Sequence, residues 1–78
     1  MDISTKLFIS DIERDTGIGK DTLRVWERRY GFPSPVRSSN GERLYSLGDL
    51  NRLILIKRLL DVGYRPKQLV SLSEPELA

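Results

Sequence analysis

Residues 20–29, Lys20-Asp21-Thr22-Leu23-Arg24-Val25-Trp26-Glu27-Arg28-Arg29, carry the reading of the fold. Their periodicity is helical: Leu23 and Trp26 fall on one side, while Lys20, Arg24 and Arg28 recur every fourth residue as one basic stripe. Asp21 and Glu27 lie off that stripe. Gly31 and Pro33 stop the helix, because Pro lacks the amide that would continue the ladder. Upstream, Ser10-Asp11-Ile12-Glu13 has the form of a capping box, in which Ser10 accepts from the Glu13 amide and Glu13 reaches back to the Ser10 amide. Ile9 can pack back onto this first helix and Ile12 falls on its inner face. Thr16-Gly17 ends it after about two turns, since Gly tolerates the left-handed conformation past a helix end. Two short helices joined at Ile18-Gly19 predict a helix-turn-helix, whose second helix is the one able to enter a DNA major groove. The candidate groove-reading set is Lys20, Asp21, Thr22, Arg24 and Arg28; the alternative is that Arg24 and Arg28 are solubility residues on a solvated face.

Phe32-Pro33-Ser34-Pro35 is extended by its prolines and leads into Val36-Arg37-Ser38, a candidate strand. Ser39-Asn40-Gly41-Glu42 follows, and Asn-Gly is a strong hairpin signal because both residues accept positive φ; Arg43-Leu44-Tyr45 supplies the returning strand. A lone two-stranded hairpin is marginal in water, so it must lean on the helices as a wing. Arg37, Ser39, Asn40, Arg43 and Tyr45 are the candidate phosphate contacts of that wing. Against this, Arg43 can pair with Glu42 or Glu27, and Tyr45 can pack in the core with only its hydroxyl exposed.

The ordered string Leu23-Arg24-Val25-Trp26-Glu27-Arg28-Arg29-Tyr30-Gly31-Phe32-Pro33-Ser34-Pro35-Val36-Arg37, with Asn40-Gly41-Glu42-Arg43-Leu44-Tyr45-Ser46 and Asp49-Leu50, resembles the DNA-binding domain of MerR-family transcriptional regulators. Trp26-Glu27-Arg28-Arg29-Tyr30-Gly31 is similar to the branch of CarA-, CarH- and LitR-type and MlrA-like regulators. The likeness covers about residues 7–72. It implies an operator-binding winged helix, with Arg24 and its neighbours in the major groove and Arg37, Arg43 and Tyr45 on the backbone or minor groove. It also implies repression or activation by distorting promoter DNA, and a homodimer formed through parts outside this segment. It implies a cobalamin-binding domain in a longer chain and no cofactor in this one. The dimerising helix of such regulators is not visible after Leu72, so the chain reads as an isolated domain of something longer.

The remaining residues read as support. Ser46 is a good N-cap with Asp49 at N3, followed by Leu50, Leu53, Ile54 and Leu60 on one face, widened by Leu55, Ile56 and Leu59. Arg52 and Arg58 are expected in solvent, and Lys57 near the inner face can snorkel. The helix ends at Asp61-Val62-Gly63; Pro66 begins a short fourth helix, with Leu69, Val70 and Leu72 capping the core. Residues 73–78 read as a frayed tail or the start of a linker. The expected architecture is mainly α: a winged helix-turn-helix of about four helices and a short two-stranded wing hairpin, one domain over 1–78 with its core at about 7–72. Its expected core is Ile9, Ile12, Leu23, Trp26, Leu50, Leu53 and Ile54.

Composition narrows function further. The 78 residues contain neither Cys nor His, which removes disulfides, the common zinc sites and His-based catalysis. The acids are explained by caps and surface pairs, no Gly-rich phosphate loop is present, and no enzyme reading survives. There is no signal-peptide pattern and no apolar run long enough to cross a bilayer, so the expectation is a bacterial cytoplasmic, nucleoid-associated protein with no membrane contact. The net charge of +2 is uneven: residues 20–43 hold six basic against three acidic residues, while residues 1–19 hold two against four. A basic central block fits a polyanion. Double-stranded DNA is the first candidate; an acidic protein partner on the same surface, or an excisionase-like architectural role bending DNA, are the alternatives. Discrimination between bases separates DNA reading from a protein-only module.

Overall fold

The computed structural model describes residues 6–78; residues 1–5 of the expected domain span lie outside it. Its chain order is α1 (Ile9–Thr16), α2 (Lys20–Tyr30), β1 (Val36–Arg37), β2 (Arg43–Leu44), α3 (Leu47–Asp61), α4 (Pro66–Leu69) and α5 (Glu74–Leu77). The protein is mainly helical with one two-stranded hairpin, a winged helix-turn-helix.

α1 starts two residues before the place expected from Ser10. Its N-cap is Phe8, and Asp11 at N3 accepts from the Phe8 N–H at 2.8 Å. The earlier start lets Leu7 exchange backbone hydrogen bonds with Tyr45, at 2.9 and 2.8 Å, which ties the entry to α1 to the end of the hairpin. It also frees Glu13, whose carboxylate accepts the Lys20 N–H at 3.3 Å and so caps α2 instead of α1. Gly17 closes α1 at φ 80°, a conformation costly for any residue with a Cβ, and its N–H reaches Glu13 O at 2.8 Å. The buried Thr16 hydroxyl donates to Ile12 O at 2.7 Å and accepts from the Ile18 N–H at 3.0 Å, so the turn between α1 and α2 hides no unpaired hydroxyl.

In the hairpin Val36 faces Leu44 and Arg37 faces Arg43 in antiparallel register. The expected two-residue Asn-Gly turn is not formed. The Gly41 N–H bonds Ser38 O and the Ser38 N–H bonds Glu42 O, enclosing a three-residue loop, Ser39-Asn40-Gly41, in which Gly41 alone has positive φ. The Ser38 hydroxyl accepts the Glu42 N–H at 3.1 Å, a bond that favours the longer loop over the tighter turn.

α3 packs on α1, α4 and α5 and carries the centre of the core. Ser46 Oγ accepts the Asp49 N–H at 3.0 Å, and the helix ends with Gly63 N–H on Leu60 O and Tyr64 N–H on Leu59 O, both 3.0 Å, a Schellman closure. Leu53 and Ile56, one turn apart, are fully buried with Ile12, Leu23 and Tyr45; Trp26, Ile18, Phe32, Leu69, Val70 and Leu77 complete the core. Ile54 is not part of it. Next to Leu53 in sequence but about 100° around the helix, it lines an open groove with Asn51, Leu55, Arg58 and Glu74. Ile9 and Leu50 are partly buried at the margin of the core.

Two expectations about the second half are corrected. Arg52 is not a solvated residue: its Nη2 donates to Val70 O at 3.1 Å and Leu72 O at 2.9 Å, and its guanidinium lies over the Phe32 ring, 3.9 Å from the centroid. Within the stretch read as a tail, Glu74–Leu77 form a fifth helix, α5, in which Glu76 accepts the Ser73 N–H at 2.8 Å and Leu77 is buried against α3. That bond holds the exposed Glu76 carboxyl below its ordinary pKa.

Candidate nucleic-acid interface

The start of α1, the first two residues of the basic stripe of α2 and the hairpin converge on one open cleft of about 310 Å³, lined by Phe8, Ile9, Ser10, Lys20, Arg24, Gly41, Glu42 and Arg43. α2 is held in place by its apolar side, where Leu23 is wholly buried and Trp26 nearly so, leaving Asp21, Thr22, Arg24 and Arg28 exposed on the other side. Lys20 is half-buried at the cleft. Arg24 forms an exposed ion pair with Asp21, Nη1 to Oδ1 3.2 Å. Arg28 has no carboxylate partner within ion-pair distance among the described residues.

The wing places Ser39 and Asn40 at an exposed tip. Arg37 is exposed, donates Nη1 to Gly41 O at 3.0 Å, and brings Nη2 to 3.9 Å from Glu27 Oε2. Arg43 is half-buried and donates Nε to Glu27 Oε1 at 2.8 Å. Of the two carboxylates open to Arg43 in the sequence, the structure selects Glu27. Tyr45 departs from expectation: only 1% of it is exposed, and its hydroxyl is buried with no hydrogen-bond partner. Burial pushes its pKa up, opposed by the nearby Arg43 guanidinium. It supports the wing from beneath and does not present its hydroxyl at the surface.

Lys20, Arg24 and Arg43 thus share one cleft, with Arg37 and Arg28 outside it. Sequence reasoning missed Phe8, which was hidden by placing the cap at Ser10 and is 44% exposed at the cleft. Among the described residues there is no cluster of metal-binding side chains, and no helix long and apolar enough to cross a membrane.

A helix-turn-helix with a basic second helix and an arginine-bearing wing defines a winged-helix, DNA-binding class of domain. The sequence profile of the MerR HTH family regulatory proteins matches residues 8–73, and the chain belongs to that family. It is 49% identical over 55 residues to the HTH-type transcriptional repressor CarA of Myxococcus xanthus, covering 69% of this chain and 19% of that protein. It is 48% identical over 42 residues to the HTH-type transcriptional regulator MlrA of Escherichia coli, covering 54% and 17%. With the mercuric resistance operon regulatory protein of Bacillus cereus it shares 36% over 59 residues, covering 76% and 45%. The matches thus span less than half the length of these relatives. The domain is of the DNA-binding kind used in transcription regulation.

Proposed function

We propose that this chain is the operator-binding unit of a MerR-type transcriptional regulator, with α2 entering the major groove and the wing resting on the phosphate backbone. The observation that carries this reading is the shared cleft, in which Lys20 and Arg24 of α2 face Arg43 of the wing. Two basic elements that are separate in sequence are brought to one side of the molecule, as a duplex with a groove and a flanking backbone requires. Arg24 is the base-reading candidate, with Lys20, Asp21, Thr22 and Arg28 beside it; Arg37, Ser39, Asn40 and Arg43 bear on phosphates. In the whole regulator two such units act together as a homodimer on paired half-sites. A single unit binds weakly because it lacks the gain from linking two modules. The sensor that switches such a regulator lies in other parts of a longer chain, and repression and activation are both compatible with this domain.

The test is an amide-resolved NMR titration of the labelled chain with a generic duplex, first at low and then at physiological salt. Shifts confined to residues 20–29 and 36–45 that fade with salt are expected, because non-specific binding is dominated by counterion release. Once an operator is selected, Arg24→Ala should lose about 1–3 kcal/mol of discrimination at one base position, whereas Arg43→Ala should weaken all duplexes alike. Absence of localised shifts at low salt would move the basic face to an acidic protein partner.

A further inference from the structure

The carboxylate that joins α2 to the wing has no place in the DNA-contact set, yet both wing arginines converge on it. Glu27 accepts Arg43 Nε at 2.8 Å through one oxygen and faces Arg37 Nη2 at 3.9 Å through the other. Arg37 and Arg43 are direct cross-strand partners. Like charges placed opposite one another destabilise a strand pair, and this hairpin has only two residues per strand. A shared counterion removes that repulsion. Glu27 lies on the same helix as Lys20, Arg24 and Arg28, so the position of the wing guanidiniums is referenced to the groove-reading stripe through one side chain. Because Arg43 meets Glu27 through Nε, its terminal nitrogens are left for a second acceptor on the cleft side.

We infer that Glu27 is a positioning residue for DNA docking, which holds Arg43 and Arg37 in a phosphate-ready arrangement and stays bound to Arg43 in the complex. The inference rests on the DNA-binding reading above. Its physical content is preorganisation: two long side chains already ordered in the free protein lose less freedom on binding than two mobile ones. The competing possibility is that Glu27 merely repels phosphate, and the two differ in sign. A repelling carboxylate weakens binding, so its neutralisation tightens it; a positioning carboxylate does the reverse, although E27Q adds a unit of positive charge.

The experiment compares the parent and E27Q for binding to a generic duplex across a salt series, with melting curves to establish that both are folded at the titration temperature. E27Q is expected to bind about five- to tenfold more weakly at low salt, with a salt slope shallower by about one phosphate contact. Equal or tighter binding by E27Q, where the parent binds, overturns the positioning role while leaving the DNA reading intact; a parent that does not bind removes both. A second measurement needs no variant. The Arg43 side-chain Nε–H resonance of the parent is expected to remain protected from exchange both free and with duplex bound. Its loss of protection, or a shift of its resonance to that of a phosphate-bonded guanidinium, on adding duplex would mean that the Glu27 bond opens in the complex, and would overturn the inference even if E27Q failed to fold.

Discussion

Arg52 offers the most direct check on how the second half of the chain is held. Its Nη2 meets the Val70 and Leu72 carbonyls at 3.1 and 2.9 Å, and its guanidinium covers the Phe32 ring at 3.9 Å. One charged N–H group shared between two carbonyls contributes about 1.5–3 kcal/mol, and a partly desolvated guanidinium over a ring about 0.5–2 kcal/mol. Against these stands the Arg52 Nε, buried without a partner, which costs about 1–3 kcal/mol. The net loss expected for Arg52→Ala is about 2–3 kcal/mol, including the stem packed on Phe32. A domain of this length has roughly 4–12 kcal/mol in total, so the loss is a large share. It corresponds to a fall in Tm of ~10–20 °C. Arg52→Met keeps the apolar stem and deletes the charged bonds, and should lie about midway between the two. Thermal and urea melts of the three proteins read this out, and limited proteolysis should cut first near residues 70–77 in the variants. If Arg52→Ala is within about 0.5 kcal/mol of the parent, the range of a neutral surface substitution, the tie between α3, Phe32 and the α4 exit carries no energy and the reasoning fails.

Trp26 is 5% exposed beneath α2, and Trp26→Ala should cost about 3–5 kcal/mol; a circular dichroism melt superimposable on the parent's would contradict this packing. Tyr45→Phe removes a buried hydroxyl with no partner, so urea midpoints at neutral pH should match or slightly exceed the parent's. The two should separate in alkali. Burial raises the Tyr45 pKa above its ordinary 10.0, so the fold favours the neutral phenol. That contribution is complete below the unfolded value and is lost as pH rises through the raised one. The parent should therefore lose stability above about pH 10 by more than Y45F does, and identical alkaline profiles would count against a buried neutral hydroxyl.

Elements that depend on local signals were legible in the sequence: the helix-turn-helix, the Ser46 cap, the Gly63 closure and the Pro66 start all follow from neighbours a few residues apart. The departures arise where a distant partner outcompetes a local one. Ser10 and Glu13 satisfy a capping box on paper, but the Leu7–Tyr45 bridge pulls the start of α1 forward and Glu13 finds the Lys20 amide across the turn. Asn40-Gly41 suits a two-residue turn, yet the Ser38 hydroxyl selects a three-residue loop. Arg52 looks like any basic residue on an outer face, because its partners lie 18 and 20 residues away. Residues 73–78 looked frayed because a single apolar residue, Leu77, anchors them, too little for a periodic pattern to register. On the site, residue types and their faces were readable, while the pairing of Arg43 with Glu27 rather than Glu42 needed the fold.

Asp21 and Glu27 let charge and geometry be separated on one helix. Both are carboxylates on α2, and neutralising either changes the net charge by the same amount. Their surroundings differ. The Asp21 side chain is 98% exposed and holds Arg24 by one exposed contact of 3.2 Å, whereas Glu27 is half-buried between the two wing arginines. An exposed pair of that kind contributes little to stability, so D21N should melt close to the parent. With α2 in a groove, the Asp21 charge stands near phosphates of like sign. At a separation of roughly 7 Å in water the repulsion is ~0.6 kcal/mol per phosphate, so D21N should bind a generic duplex about threefold more tightly at low salt. The gain should disappear toward physiological salt as screening shortens its reach. E27Q should move the other way under identical conditions. If both variants tighten binding by similar factors, net charge alone governs docking and Glu27 does not position the wing. Opposite signs for equal changes in charge leave side-chain placement as the cause.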